Sequence, residues 1–122
     1  MNFGLTTRLS DEIARYLDFS TAQVKLTAAN MANIDTPGYQ AVGFNFAAEM
    51  QQAIQSAGSG DSAQPIQVHR VDGLVARPDG NDVSMDRESL NLAEAQLQFR
   101  TGVTLLKQEY QRVMDAIHAD KQ

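Results

Sequence analysis

Hydrophobic positions recur with a helical period at both ends of this chain and lose it in between. Towards the C-terminus Leu92, Phe99, Val103, Leu106, Tyr110, Val113 and Ile117 follow at intervals of seven, four, three, four, three and four, with one gap at Gln96. That alternation is an a/d heptad seam, and it predicts a long helix over residues 84–122 laid against another helix. Glu94, Arg100, Lys107, Glu109, Arg112 and Asp115 occupy its other faces. Ser84, Asp86 and Glu88 suit its first turn, where negative charge meets the positive end of the dipole. Gly102 inside it costs about 1 kcal/mol relative to Ala and is compatible with a close backbone approach.

The N-terminal pattern, within residues 1–35, is less regular. Ile13, Leu17, Val24, Met31 and Ile34 keep the three–four alternation, with Ser20 and Thr27 as polar interruptions. Phe19, Ala22, Leu26 and Ala29 form a second stripe beside it. Two apolar stripes on one helix predict two neighbours. Ser20-Thr21-Ala22-Gln23 has the form of a capping box, which predicts a break or restart of the helix there.

Residues 36–83 change character. Phe46 to Ile54 predicts a short helix capped by Asn45. Residues 56–63 have the Gly/Ser composition of a flexible connector. Residues 65–69 alternate like a strand, before the turn-forming pairs Asp72-Gly73 and Asp79-Gly80. This middle is expected to be partly ordered at best in the isolated chain.

The first helix ends abruptly in Ala29-Asn30-Met31-Ala32-Asn33-Ile34-Asp35-Thr36-Pro37-Gly38-Tyr39. Pro37 drives Thr36 out of the helical region, and Gly38 tolerates positive φ, so Thr36 to Tyr39 fits a type II turn. Asn30 and Asn33 share one helix face beside the open terminal carbonyls, where their amides can satisfy them. On physics alone this is a helix end capped by Asn.

Composition narrows the function. A chain of 122 residues forms one small domain. Its net charge of −5, with Lys and Arg scattered singly, argues against a nucleic-acid footprint. Cysteine is absent, which excludes disulfides and thiolate-bound metal. No apolar run approaches the roughly 20 residues of a membrane span. The first residues lack an apolar signal core, so export with a cleaved signal peptide is not expected. Asp79, Asp82, Asp86 and Glu88 fail the calcium-loop pattern, because Val83 stands at a ligand position, and they read as exposed acids entering a helix. His69 and His118 stand alone. No nucleophile, acid pair or phosphate loop can be placed, so no catalytic, cofactor-binding or metal residue is assigned.

The string from Ala29 to Tyr39 closely resembles the N-terminal signature of flagellar axial proteins, the rod, hook and junction subunits. A second string, Asp79-Gly80-Asn81-Asp82-Val83-Ser84-Met85-Asp86-Arg87-Glu88 running into Leu92 to Phe99, resembles the C-terminal segment of the proximal members of the flagellar basal-body rod protein family. Ser84, where that pattern has Asp, and the pair Ala95-Gln96 are departures. The likeness covers residues 28–50 and 79–117.

The resemblance implies a mainly α fold. In it the long terminal helices pair as an antiparallel hairpin or coiled coil, around a short, partly ordered middle with a small helix and short strands. It implies a structural subunit of a hollow, torque-transmitting rod in the basal body, exported through the flagellar type III apparatus. Its neighbours would be further copies and FlgC-like and FliE-like subunits. The seam residues from Ile13 to Ile34 and from Leu92 to Ile117 would then form the assembly interface, with the stripe from Phe19 to Ala29 against an adjacent subunit. A cytoplasmic coiled-coil adaptor accounts for the charge and the seam, but gives no reason for the strings.

Overall fold

The computed structural model describes residues 7–56 and 64–119. Two long helices dominate it: α1 spans Arg8–Ala32 and α3 spans Met85–Ala119. Between them lie β1 (Val42–Gly43), α2 (Phe46–Ser56) and β2 (His69–Arg70). Thr7 lies beside Glu109, Leu17 beside Gly102 and Asn30 beside Glu88, so α1 and α3 run antiparallel along their length. The expected helical hairpin is the fold.

α1 begins with a reciprocal cap. Thr7 Oγ1 accepts from the Ser10 amide at 3.0 Å, and Ser10 Oγ accepts from the Thr7 amide at 2.7 Å. The expected break at Ser20 does not occur. Its hydroxyl donates to the Tyr16 carbonyl at 2.9 Å, and Thr21 donates to Leu17 at 3.0 Å. Both side chains therefore satisfy themselves on the wall of a continuous helix, where a capping box would have restarted it. Ser20 and Thr27, which read as interruptions of the seam, are its most buried positions, each with no exposure. Small side chains let the helices close together, and their hydroxyls already have partners, since Thr27 Oγ1 accepts from Gln23 Nε2 at 3.1 Å.

The second neighbour of α1 is the chain's own middle. Phe19 is 1% exposed and lies 6.3 Å from the Phe44 ring and 6.0 Å from Phe46, with the Arg15 guanidinium 4.7 Å over its own ring. Phe46 also meets Tyr16 edge-on at 5.4 Å. This corrects the expectation that the whole Phe19 stripe faces an adjacent subunit. The aromatic member is covered from within, while Ala22 and Leu26 are half-buried and Ala29 is exposed. Asn45 caps α2 as expected, with Oδ1 accepting from the Ala48 amide at 3.0 Å.

Only the end of the expected strand over residues 65–69 is used. His69 and Arg70 pair antiparallel with Gly43 and Val42. Ahead of them, the Gln67 amide donates to the nearly buried Glu49 carboxylate at 3.1 Å, so this stretch is tied to α2 by a side chain and not by a ladder. Most of the expected connector, residues 57–63, lies outside the described residues. From residue 64 to α3, the middle is held more firmly than its composition suggests, through the corner described next.

Candidate assembly interface

The two strings singled out in the sequence, one ending α1 and the other leading into α3, form a single interlocked corner. The turn forms as expected: the Tyr39 amide donates to the Thr36 carbonyl at 3.2 Å, and Gly38 takes φ +76°. Asn33 caps locally, donating to the Ala29 carbonyl at 2.8 Å and accepting from the Thr36 hydroxyl at 3.0 Å.

Asn30, which shares that helix face, does something else. It is 1% exposed and uses its full bonding capacity away from its own helix. Its Nδ2 donates to the Val42 carbonyl at 2.9 Å and to Glu88 Oε1 at 3.1 Å; its Oδ1 accepts from the Val42 amide at 3.0 Å and the Tyr39 hydroxyl at 3.1 Å. One amide thus joins α1, β1, the turn and α3. Burial raises the Tyr39 hydroxyl above its ordinary pKa, and the nearby charges of Glu88 and Asp82 push it further, so it stays a donor.

The remaining terminal carbonyls are capped from the far string. Asn81 is fully buried and donates to the carbonyls of Asn33 at 2.8 Å and Thr36 at 2.9 Å, while its Oδ1 accepts from the Val83 amide at 2.8 Å. Arg77 reaches the Ile34 carbonyl and, at 2.8 Å, that of Val83. The Gly38 amide donates to Asp79 at 2.8 Å. Gly80, at φ +87°, approaches so closely that a Cβ would stand 3.3 Å from the Gly38 Cα. Positive φ favours glycine at both positions, and at Gly80 the tight approach to Gly38 adds to it, whereas a Cβ on Gly38 itself would meet nothing within 4 Å.

The acids are only in part a solvated cluster: Asp79 and Asp86 are exposed as expected, Asp82 is half-buried and Glu88 is buried. Asp79 Oδ1 accepts from the Asn81 amide at 2.9 Å, and Asp82 Oδ1 from the Ala41 amide at 2.6 Å. Glu88 has no exposure, and besides Asn30 its Oε1 holds Arg87 at 2.8 Å. The sequence rule that acids favour a first turn placed it correctly on the helix but on the wrong side. Facing Asn30, it completes the knot. Among the described residues no three acidic or histidine side chains converge to hold a metal.

Along the helix pair, Ile13 is buried, and Leu17, Val24, Met31, Leu92, Val103, Leu106, Val113 and Ile117 are half-buried; Ile34 lies half-buried just beyond α1. Phe99 and Tyr110 are 42% and 45% exposed, so the buried line of α3 runs instead through Glu88, Ala95, Gly102 and Glu109. The reason is closeness. A Cβ on Gly102 would sit 2.7 Å from Leu17 Cδ2 and 3.0 Å from Tyr16 Cδ1, so the helices meet on their smallest residues and large ones are displaced to the rim. In the other half of the string, Ala29, Ala32, Asp35, Thr36, Pro37 and Gly38 are exposed, and Val83 is buried.

Glu109 closes the open end of the pair. It is 4% exposed, accepts from the Thr7 hydroxyl at 3.1 Å and binds Arg112 at 2.6 Å. The Arg112 hydrogen bond, helped by Thr7 and the Arg112 charge, holds its carboxyl below the ordinary value against the upward push of burial. A depressed folded pKa favours folding once the group is ionised. The contribution is complete above the ordinary glutamate value of about 4.3, and is lost as pH falls through the lowered folded value. Urea midpoints recorded from pH 7 to pH 3 should therefore fall at the acid end, and Glu109→Gln should flatten that part of the fall. An unchanged acid limb in the variant would exclude Glu109 as its source.

No protein-family model matches the chain. Among individual proteins, it is 33% identical over 119 residues to the flagellar basal body rod protein FlgB of Yersinia ruckeri, covering 83% of this chain and 87% of that one. It is 31% identical to FlgB of Salmonella typhimurium, over 83% of this chain and 86% of that one. FlgB of Escherichia coli is 26% identical over 84% of this chain and 88% of its own length. With both strings locked into one corner at the head of an antiparallel helix pair, and with likeness of this extent, the chain belongs to the FlgB family of flagellar basal body rod proteins.

Proposed function

We propose that the chain is a structural subunit of the proximal rod in the bacterial flagellar basal body, assembling through the outer faces of α1 and α3 into a hollow, torque-bearing structure. Its neighbours are further copies of itself and FlgC-like and FliE-like rod subunits, and it reaches them through the flagellar export apparatus. It performs no catalysis. Carrying the reading, beyond family membership, is the apolar surface the helix pair leaves uncovered: Leu90 and Leu97 are 67% and 66% exposed on the outer face of α3, and Phe99 and Tyr110 are 42% and 45% exposed on another side of it. A solitary soluble helix hairpin has no use for such side chains, whereas a subunit packed among others does. The absence of cysteine fits passage through a narrow channel, since no disulfide has to be opened first. No described helix is long and apolar enough to cross a membrane.

Leu106→Asp places a charge in the α1–α3 seam and is expected to abolish swimming and remove the protein from detergent-extracted basal bodies. The wild-type chain should be recovered with those basal bodies. Recovery only in the soluble cytoplasm would favour the adaptor reading instead.

A further inference from the structure

Back to back with their shared seam, α1 and α3 carry two outer stripes that match each other. On α3, Leu90, Leu97, Thr101 and Thr104 make an exposed line, with exposed Glu94 beside it between the two leucines and with Arg100 and Lys107, seven residues apart, along its other edge. On α1 the corresponding outer line holds Ala22 and Ala29, with exposed Asp11 and Asp18, again seven apart. Arg100, Lys107 and Asp11 have no ion-pair partner among the described residues, and Asp18 has only a loose contact to Arg15 at 3.6 Å.

The antiparallel register of the chain sets the height of each residue. Counting along both helices from the Leu17–Gly102 contact, Ala22 stands level with Leu97 and Ala29 with Leu90, to within a residue. In the same register Asp18 is level with Arg100 and Asp11 with Lys107. Small residues meet large ones, and acids meet bases, four times over. Within one chain these pairs cannot touch. Ala22 and Leu97 each lie five residues from the seam contact, about 140° round their helices and facing away from each other.

We infer that the outer stripe of α3 is the docking surface for α1 of a second copy of this chain, held at the same height in the same orientation. The inference rests on the rod-subunit reading above and specifies its lateral contact. The interface is heterologous, since the surface each copy offers differs from the one it receives. Such contacts do not stop at a dimer but continue into a ring or a helical array. The Leu–Ala steps supply close packing, while the two Asp–base pairs fix the register and exclude a copy shifted along the axis.

The wild-type chain has no cysteine, so introduced thiols report without background. Cells expressing Ala22→Cys together with Leu97→Cys are treated with a mild oxidant, and their basal bodies are extracted. The expected result is a ladder of dimers, trimers and higher multiples of the chain that is seen in the absence of thiol and collapses to monomer when thiol is added, with no ladder from either single variant. Ala29→Cys with Leu90→Cys should give the same ladder, which guards against a local defect at one pair. Arg100→Asp with Lys107→Asp should lower the cross-linked yield at least about fivefold, and adding Asp11→Lys with Asp18→Lys should restore it. Basal bodies that contain both double-cysteine variants as monomers, or as adducts with a protein of another mass, overturn the inference and leave the rod reading standing. Variants that swim less and never reach basal bodies, together with a wild-type chain that does not either, overturn both.

Discussion

Asn30→Ala lowers the stability of the chain by about 3–5 kcal/mol, the largest effect expected of any single truncation here. The amide makes four hydrogen bonds, two to the backbone of Val42, one to the Tyr39 hydroxyl and one to the buried Glu88 carboxylate. Alanine deletes all four and leaves their partners in a site that is 1% exposed, where each unsatisfied neutral group costs about 1–3 kcal/mol and a charged one more. Relaxation and entering water offset part of that. The measurement is urea unfolding of the purified chain, with the loss read from the midpoint at constant slope. Asn30→Asp keeps the shape and both acceptor bonds, but sets a second carboxylate against Glu88. It should unfold nearly as readily at pH 7 and recover in part on acidification, opposite to the trend of the wild type. A wild-type midpoint in Asn30→Ala would mean that the corner does not hold the fold.

Gly102→Leu comes next, with an expected loss of about 2–3 kcal/mol and a measurable widening of the helix pair. A Cβ at this position already stands 2.7 Å from Leu17 and 3.0 Å from Tyr16, and the branched end of leucine has only the space between the helices to enter. Gly102→Ala is the informative control. It recovers about 1 kcal/mol of helix propensity, and Leu17, the end of a flexible side chain, can give way, so the two terms nearly cancel. Thermal melts should rank Gly102→Ala close to wild type and Gly102→Leu well below it. Solution X-ray scattering should detect the wider pair only in the latter. Equal melts for all three would show that the helices do not meet here.

Much of the architecture was legible because it depends on local rules. The three–four alternation placed both long helices, Asn45 marked the start of α2, and the Pro-Gly pair identified the turn. What escaped was decided by tertiary packing. Ser20 reads as a cap in isolation, yet in a close helix pair its small size and a bond to its own backbone make it core. Phe99 and Tyr110 sit at heptad positions, but Ala95 and Gly102 drew the helices so near that aromatic rings no longer fit between them. Glu88 obeyed the charge rule for a first turn, while the buried partner that claimed it, Asn30, lies 58 residues away. The two strings were each conspicuous alone; no periodicity could reveal that they are halves of one structure.

The capping of α1 by Asn81 also orders events in time. The carbonyls of Asn33 and Thr36 receive their donors from a residue 48 and 45 positions further along the chain. A chain that emerges from a ribosome or a channel with its N-terminus first thus exposes an unfinished helix until the second string follows. Closing so long a loop costs entropy before any contact returns it, and contacts of this separation slow folding. The corner therefore acts as a completion signal, withholding a finished helix pair, and with it a surface for neighbours to dock on, until almost the whole subunit has arrived.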